Sequence, residues 1–334
     1  MQKPFLVIPT QVLEINQKYE GKAKIVERIS EDLVRITYKD DLTAFDGVKK
    51  DQKQGKGMIN LKISNLIYDF LKNKGIPTHF VKQENEKQII AKYVKILPIE
   101  FVVRNIAAGS FVRRYGIEKG LKFDQPIFEL FLKSDELHDP LITPDVAIKL
   151  GLIDKETFEK TRFYTLVINH YLKELFGRIG FDLVDFKLEF GIDNQGNILL
   201  ADEITPDSIR LWLKGTQESF DKDVFREDKG DVLAAYKEVL RRLENIEIEK
   251  IKDPDFKITL NVRLKSGIVD AQGAVVKRAL KRLGLDTIKD ARIGKIIDLE
   301  FNGGNINDVL EKLDHAIEEF LINPLIENYE INFY

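Results

Sequence analysis

The stretch from Val184 to Ile204 constrains the fold most. Val184–Phe190 sets Asp185, Lys187 and Glu189 against Phe186, Leu188 and Phe190 in alternation, the period of a strand with a polar and an apolar face. Asp193–Asn197 (DNQGN) supplies turn residues, and Ile198–Ile204 predicts the return strand. A hairpin of this kind belongs in an antiparallel sheet. Leu33–Tyr38 and Ile89–Val94 alternate as further strands, and residues 100–150 read as short strands mixed with loops. Apolar spacing predicts helices over Ile59–Lys74, ended by Gly75 and Pro77, and over Lys155–Ile179 and Asp231–Leu243.

At 334 residues the chain exceeds what one core usually spans, so two or three units are expected. Glu244–Asp255 is charged, carries a proline at position 254 and reads as a linker. Beyond it the pattern predicts a strand at Phe256–Lys265 and a helix at Ala271–Leu283 with Gly284 as its stop. A strand at Ala291–Phe301, a helix at Ile306–Ile322 and a strand at Glu327–Phe333 follow. Splitting Ala291–Phe301 at Gly294 would complete a ferredoxin-like α+β unit. The net charge of −3 argues against a nucleic-acid partner, so anionic ligands need local basic clusters. The absence of cysteine excludes disulfides and thiolate metal sites, and four histidines leave a hard cation on carboxylates as the expected metal. The start of the chain shows no basic segment followed by a long apolar one, and no run reaches roughly 18 apolar residues. A cytoplasmic protein without membrane contact is expected.

Four places carry candidate chemistry. A hairpin that brings Asp202 or Glu203 beside Asp185, Lys187 and Glu189 would suit Mg²⁺, which takes one or two carboxylates plus substrate phosphates. The alternative is a solvated strand face. Tyr19–Lys24 (YEGKAK) places a glycine between lysines, able to lie along phosphates; it lacks the Walker spacing and also fits an ordinary exposed turn. Val102–Ser110 (VVRNIAAGS) offers the Arg104 fork, with Gly109 and Ser110 admitting an anion near the backbone, or a turn with Arg104 in a salt bridge. Thr43–Gly57 reads as a mobile basic loop with a turn at Asp46–Gly47, or as plain solvated loop. Lys133 and His138–Asp139–Pro140 sit in a further loop.

In this order YEGKAK, TAFDG, QGKG, VVRNIAAGS, LFLKSDELHDP, DFKLEFG and ADEITPDSIRLW resemble SAICAR synthetase over roughly residues 12–245. KSGIVDAQGAVVKRALKRLG, ARIGKIIDLEF and FLINPLIENYEI resemble the small S subunit of formylglycinamidine ribonucleotide synthetase over about residues 254–334. The resemblance implies an α+β chain: a two-lobed ATP-binding ligase domain over 1–245, with lobes near 1–98 and 99–245, a linker at 246–254 and a ferredoxin-like domain over 255–334. It implies an ATP-dependent carbon–nitrogen ligase that joins aspartate to carboxyaminoimidazole ribonucleotide with Mg²⁺. Lys22, Ala23 and Lys24 would meet ATP phosphates, Lys92 and Lys187 would line the nucleotide site, and Glu189 and Asp202 would carry the metal. Asp46, Arg104, Ser110, Lys133, Asp185 and Arg210 would hold the ribonucleotide. Lys22, Lys24, Asp207 and Arg210 form the catalytic candidates, with the role of Asp207 left open. Leu213, where many relatives place aspartate, and Phe45 depart from the family pattern. A homo-oligomer is expected, with the tail bridging the large and glutaminase subunits of the amidotransferase; a regulatory or oligomerisation module is the alternative for the tail.

Overall fold

The computed structural model describes residues 13–44, 48–246 and 251–334. They form two compact units that part between Lys252 and Asp253. Residues 247–250 of the expected linker, and Asp46 with Phe45, lie outside the described residues. Ile251 is buried in the first unit, and its carbonyl accepts a hydrogen bond from Lys74 Nζ at 2.6 Å.

The first unit opens with β1 (Lys18–Glu20), β2 (Lys24–Arg28) and β3 (Leu33–Tyr38), followed by the hairpin β4 (Asp41–Ala44) and β5 (Lys49–Gln52). β1, β2 and β3 join β6 (Phe80–Gln83) and β7 (Gln88–Lys92) in a sheet of order β1-β2-β3-β7-β6, antiparallel throughout, while β4 and β5 form a separate two-stranded sheet. Helix α1 (Lys56–Asn73) starts three residues before its expected position. The QGKG run, read as loop from its glycines and lysines, is the helix start. Gly55 adopts φ 87° as the N-cap, and a Cβ on Gly57 would stand 2.7 Å from the Tyr38 carbonyl oxygen. Only glycine lets the first turn of α1 press that closely on β3.

The second sheet follows the order β11-β10-β9-β12-β13 and includes β8 (Lys95–Ile96) and β14 (Ile209–Leu213), both paired to β12. Its members are β9 (Ile99–Ile106), β10 (Lys122–Leu132), β11 (Leu141–Ile142), β12 (Phe181–Ile192) and β13 (Ile198–Ala201). Short helices α2 (Gly109–Tyr115) and α3 (Pro144–Lys149) interrupt the expected strand-and-loop region, and α4 (Lys155–Arg178) packs on β12 and β9. Asp154 caps α4 by accepting the Thr157 N–H at 2.9 Å. The short α5 (Asp223–Arg226) precedes α6 (Val232–Leu243), which packs on α1. β12 is the spine of this sheet, with strand partners at both edges and helix cover, so it is buried almost throughout and longer than its polar alternation suggests.

The second unit is an α+β arrangement of β15 (Phe256–Leu264), α7 (Ala271–Arg282), β16 (Gly294–Phe301), α8 (Ile306–Ala316) and β17 (Glu327–Phe333). Its sheet has three antiparallel strands in the order β16-β15-β17. Gly294 does not split a strand to supply a fourth; it starts β16, where a Cβ would meet the Val262 carbonyl oxygen at 2.4 Å. The last helix is α-helical only to Ala316 and widens into a π-turn over Ile317–Leu321. Among the described residues no helix is long and apolar enough to cross a membrane.

Candidate active site

Three neighbouring strands bring opposite charges into one row. Asp185 of β12 lies directly opposite Arg104 of β9 on one side and Arg210 of β14 on the other. Its Oδ2 accepts from Arg104 Nη1 at 2.9 Å and from Arg210 Nη1 at 2.5 Å. Each arginine has a second carboxylate: Glu129 on Arg104 Nε at 2.5 Å, and Asp223 on Arg210 Nε at 2.6 Å. Buried charges persist only when paired in this way. Burial works against the Arg210 charge, yet Asp185 and Asp223 outweigh it and raise its pKa above the ordinary value. Burial pushes the Asp223 carboxyl up, and Arg210 overrides it, holding the group at about 2. Gly109 explains the small residues after Arg104: it takes φ 54°, and a Cβ there would stand 2.7 Å from Arg210 Nη2. Ser110 Oγ lies 3.5 Å from Arg104 Nη2.

A second cluster lies farther along β12. Lys24 pairs with both Asp202 and Glu203; Lys133 pairs with Glu189; Lys187 pairs with Glu100 and lies 3.8 Å from Glu189. Asp202 directly follows the last residue of β13, Ala201, which sits opposite Glu189, so the hairpin brings the two carboxylates together. The return strand stops short of Ile204 because Asp202 takes φ 63°, the left-handed region. Burial and the Asp202 charge raise the Glu189 and Glu203 carboxyls. Burial also opposes ionisation of Asp202, but Lys24, Lys133 and Lys187 overcome it and hold that carboxyl well below the usual range. Asp185 and Glu189 are each 6% exposed, which rules out the solvated-face alternative.

Asp207, expected among the catalytic candidates, has its carboxylate fully engaged. Oδ2 accepts from Lys56 Nζ at 2.5 Å and Asn60 Nδ2 at 2.8 Å, and Oδ1 accepts from the Tyr236 hydroxyl at 2.8 Å. Lys56 is 1% exposed. Burial raises the Asp207 carboxyl, but Lys56 and Lys222 prevail and hold it at about 2. Lys56→Met removes the nearer cation from that buried carboxylate, leaving Lys222 at 4.0 Å, and is expected to cost about 3 kcal/mol, read as a lower urea midpoint. The depressed pKa also sets a pH window. The stabilisation is complete above the ordinary value of 3.8 and is lost as pH falls through about 2. Urea midpoints measured down to pH 2 should therefore fall less steeply in Asp207→Asn than in the wild type.

Lys22, at the β1–β2 turn, reaches Asp135 at 2.7 Å, joining the YEGKAK and LFLKSDELHDP blocks. The Ala23 carbonyl accepts the Lys39 N–H at 2.8 Å. Lys92 is exposed at the end of β7; burial pushes Asp193 of the β12–β13 turn up, hydrogen bonds from Asn197 and Gln195 override it, and the Lys92 charge adds to them. Lys56, Asn60, Tyr236, Glu129 and Asp223 escape sequence reading. Lys56 and Asn60 find their partner 151 and 147 positions away, though a lysine opening an apolar helix, as in QGKG, hints at a buried counter-charge.

A family model described as SAICAR synthetase matches residues 17–243, and one described as phosphoribosylformylglycinamidine (FGAM) synthase matches residues 257–334. The phosphoribosylaminoimidazole-succinocarboxamide synthase of Methanocaldococcus jannaschii is 47% identical over 70% of this chain and 96% of its own length. That of Finegoldia magna is 51% identical over 67% of this chain and 97% of its own. A solved SAICAR synthetase (Type-2) in complex with ADP is 44% identical with a TM-score of 0.67, covering 69% of this chain and 98% of that one. The chain therefore belongs to the SAICAR synthetase family of purine-biosynthesis ligases, and from residue 257 onward it also carries an FGAM synthase-family domain.

Proposed function

We propose that residues up to about 245 catalyse ATP-dependent ligation of L-aspartate to 5-amino-1-(5-phosphoribosyl)imidazole-4-carboxylate, giving SAICAR, ADP and phosphate. The observation that carries this reading is the placement of two charge clusters on one strand. Asp185 and Glu189 share a face of β12 four residues apart, a span of roughly 13 Å. One end presents paired arginine forks, suited to an anionic ribonucleotide. The other presents lysines and carboxylates, suited to a nucleotide triphosphate with its cation.

In this scheme Arg104, Ser110, Asp185 and Arg210 hold the ribonucleotide, with Asp46 assigned beside them. Lys22, Lys24 and the backbone at Ala23 lie along the ATP phosphates, Lys92 and Lys187 complete the basic lining, and Lys133, expected on the ribonucleotide, joins this end instead because it pairs with Glu189. The substrate carboxylate oxygen attacks the γ-phosphorus, ADP leaves, and an acyl phosphate forms. The aspartate amine then attacks the acyl carbon, phosphate departs with the bonding pair, and the amine gives up a proton. Positioning and charge neutralisation suffice for the phosphoryl step. Glu189 and Asp202 fit Mg²⁺, because two adjacent carboxylates, one with its pKa raised by burial and further by the other, favour a shared hard cation. Bound there, Mg²⁺ would neutralise charge developing on the phosphate oxygens. In this reading Asp207 serves to hold the turn between the clusters, its carboxylate being taken up by Lys56, Asn60 and Tyr236.

A coupled ADP-release assay with the carboxylated ribonucleotide tests the reading. Release is expected only when aspartate is also present; release of equal rate without aspartate would mean a kinase instead. For the tail we propose a bridging role between the large and glutaminase subunits of the amidotransferase, supported by its family match. A pull-down of those subunits should succeed with the full chain and fail after deletion of residues 254–334. Retention by the truncated chain would refute bridging.

A further inference from the structure

The turn from Asp202 to Arg210 carries a metal candidate at one end and a ribonucleotide arginine at the other. Its shape is fixed internally. The Thr205 N–H donates to Ser208 Oγ at 3.1 Å, the Ser208 hydroxyl donates to the Glu203 carbonyl at 3.1 Å, and the Asp207 N–H donates to Thr205 Oγ1 at 3.2 Å. What fixes its place is a row of side chains on α1. Lys56 and Asn60 bind the Asp207 carboxylate at 2.5 and 2.8 Å. Ser64 Oγ accepts the Ile204 N–H at 3.4 Å, and the Tyr68 hydroxyl donates to the Asp202 carbonyl at 2.6 Å.

These four residues recur every fourth position, so they form one continuous row on the helix, roughly 18 Å from first to last. All are buried, at 1, 3, 0 and 0% exposure. Polar groups in such a place cost stability unless bonded, and every member of the row spends a bond on the turn. The row runs antiparallel to the turn: the start of α1 meets Asp207, three residues before Arg210, and its later turns meet Ile204 and Asp202.

We infer that Lys56, Asn60, Ser64 and Tyr68 are a positioning ladder whose two ends set Arg210 and Asp202 separately, so that opposite ends of one helix govern different ligands. The inference rests on the ligand assignment proposed above. Tyr68→Phe removes only the hydroxyl, because the ring keeps its stacking on Phe80 at 5.8 Å. Asn60→Leu removes one bond to Asp207 while Lys56 and Tyr236 remain.

Isothermal titration of wild type and both variants with Mg·ADP and with the carboxylated ribonucleotide, alongside thermal melts, decides the matter. Tyr68→Phe should weaken Mg·ADP binding about fivefold and leave the ribonucleotide within about twofold of wild type. Asn60→Leu should do the reverse. Uniform weakening of both ligands, or unchanged affinities with only a lower melting temperature, would reduce the ladder to scaffold and overturn the inference. A wild type that binds neither ligand overturns the ligand assignment itself, and the ladder's role with it.

Discussion

An Asp202→Asn protein is expected to stay folded and to lose about two to three orders of magnitude in turnover. Lys24, Lys133 and Lys187 hold the Asp202 carboxyl ionised against its burial. The amide removes that charge and with it half of the carboxylate pair assigned to Mg²⁺. The backbone has no reason to move, since asparagine tolerates the left-handed conformation that Asp202 adopts at φ 63°. The Tyr68 bond reaches the carbonyl of residue 202, not its side chain, and survives the change. Turnover at saturating Mg²⁺, beside circular dichroism and a thermal melt, is the measurement. Near-normal turnover of a folded variant would sink the metal assignment.

Arg210→Gln should raise the ribonucleotide KM on the order of a hundredfold while leaving the ATP KM close to wild type. The expected loss, about 2–5 kcal/mol, is that of truncating one partner of a desolvated charge pair. Folding is protected because neither carboxylate on Arg210 is orphaned: Asp185 keeps Arg104 at 2.9 Å, and Asp223 keeps Arg226 at 2.6 Å. Arg210→Lys should recover only part of the loss, since an ammonium cannot supply the planar fork that spans Asp185 and Asp223. Steady-state kinetics with each substrate varied in turn checks both variants. A parallel rise in both KM values would place Arg210 outside the ribonucleotide end.

The elements legible in sequence are those whose signals are local. Lys155–Arg178 announces itself by apolar period, and the β12–β13 hairpin by alternation and the Asp193–Asn197 turn. Misreadings arose where glycine has two meanings. Gly55 and Gly57 look like loop residues but open α1, and Gly294 looks like a break but begins β16. The carboxylate pairing of Glu189 and Asp202 is legible because both lie on one hairpin. The counter-charges are not: Lys56 finds Asp207 across 151 positions and Arg104 finds Asp185 across 81. Such choices are made by tertiary packing, and local spacing carries no trace of them.

β12 also limits how this protein can vary over generations. Asp185 and Glu189 face the same way only because they stand four positions, an even step, apart on the strand. A one-codon insertion or deletion between them would turn one end of the strand over and send its charges into the apolar layer beneath. Both ligand ends are read from the same frame, so no odd-length indel there can relax one while sparing the other. Single-residue length changes are tolerable outside that interval, in the 193–197 turn and the surface loops, whereas inside it lineages diverge by substitution or by steps that keep the alternation.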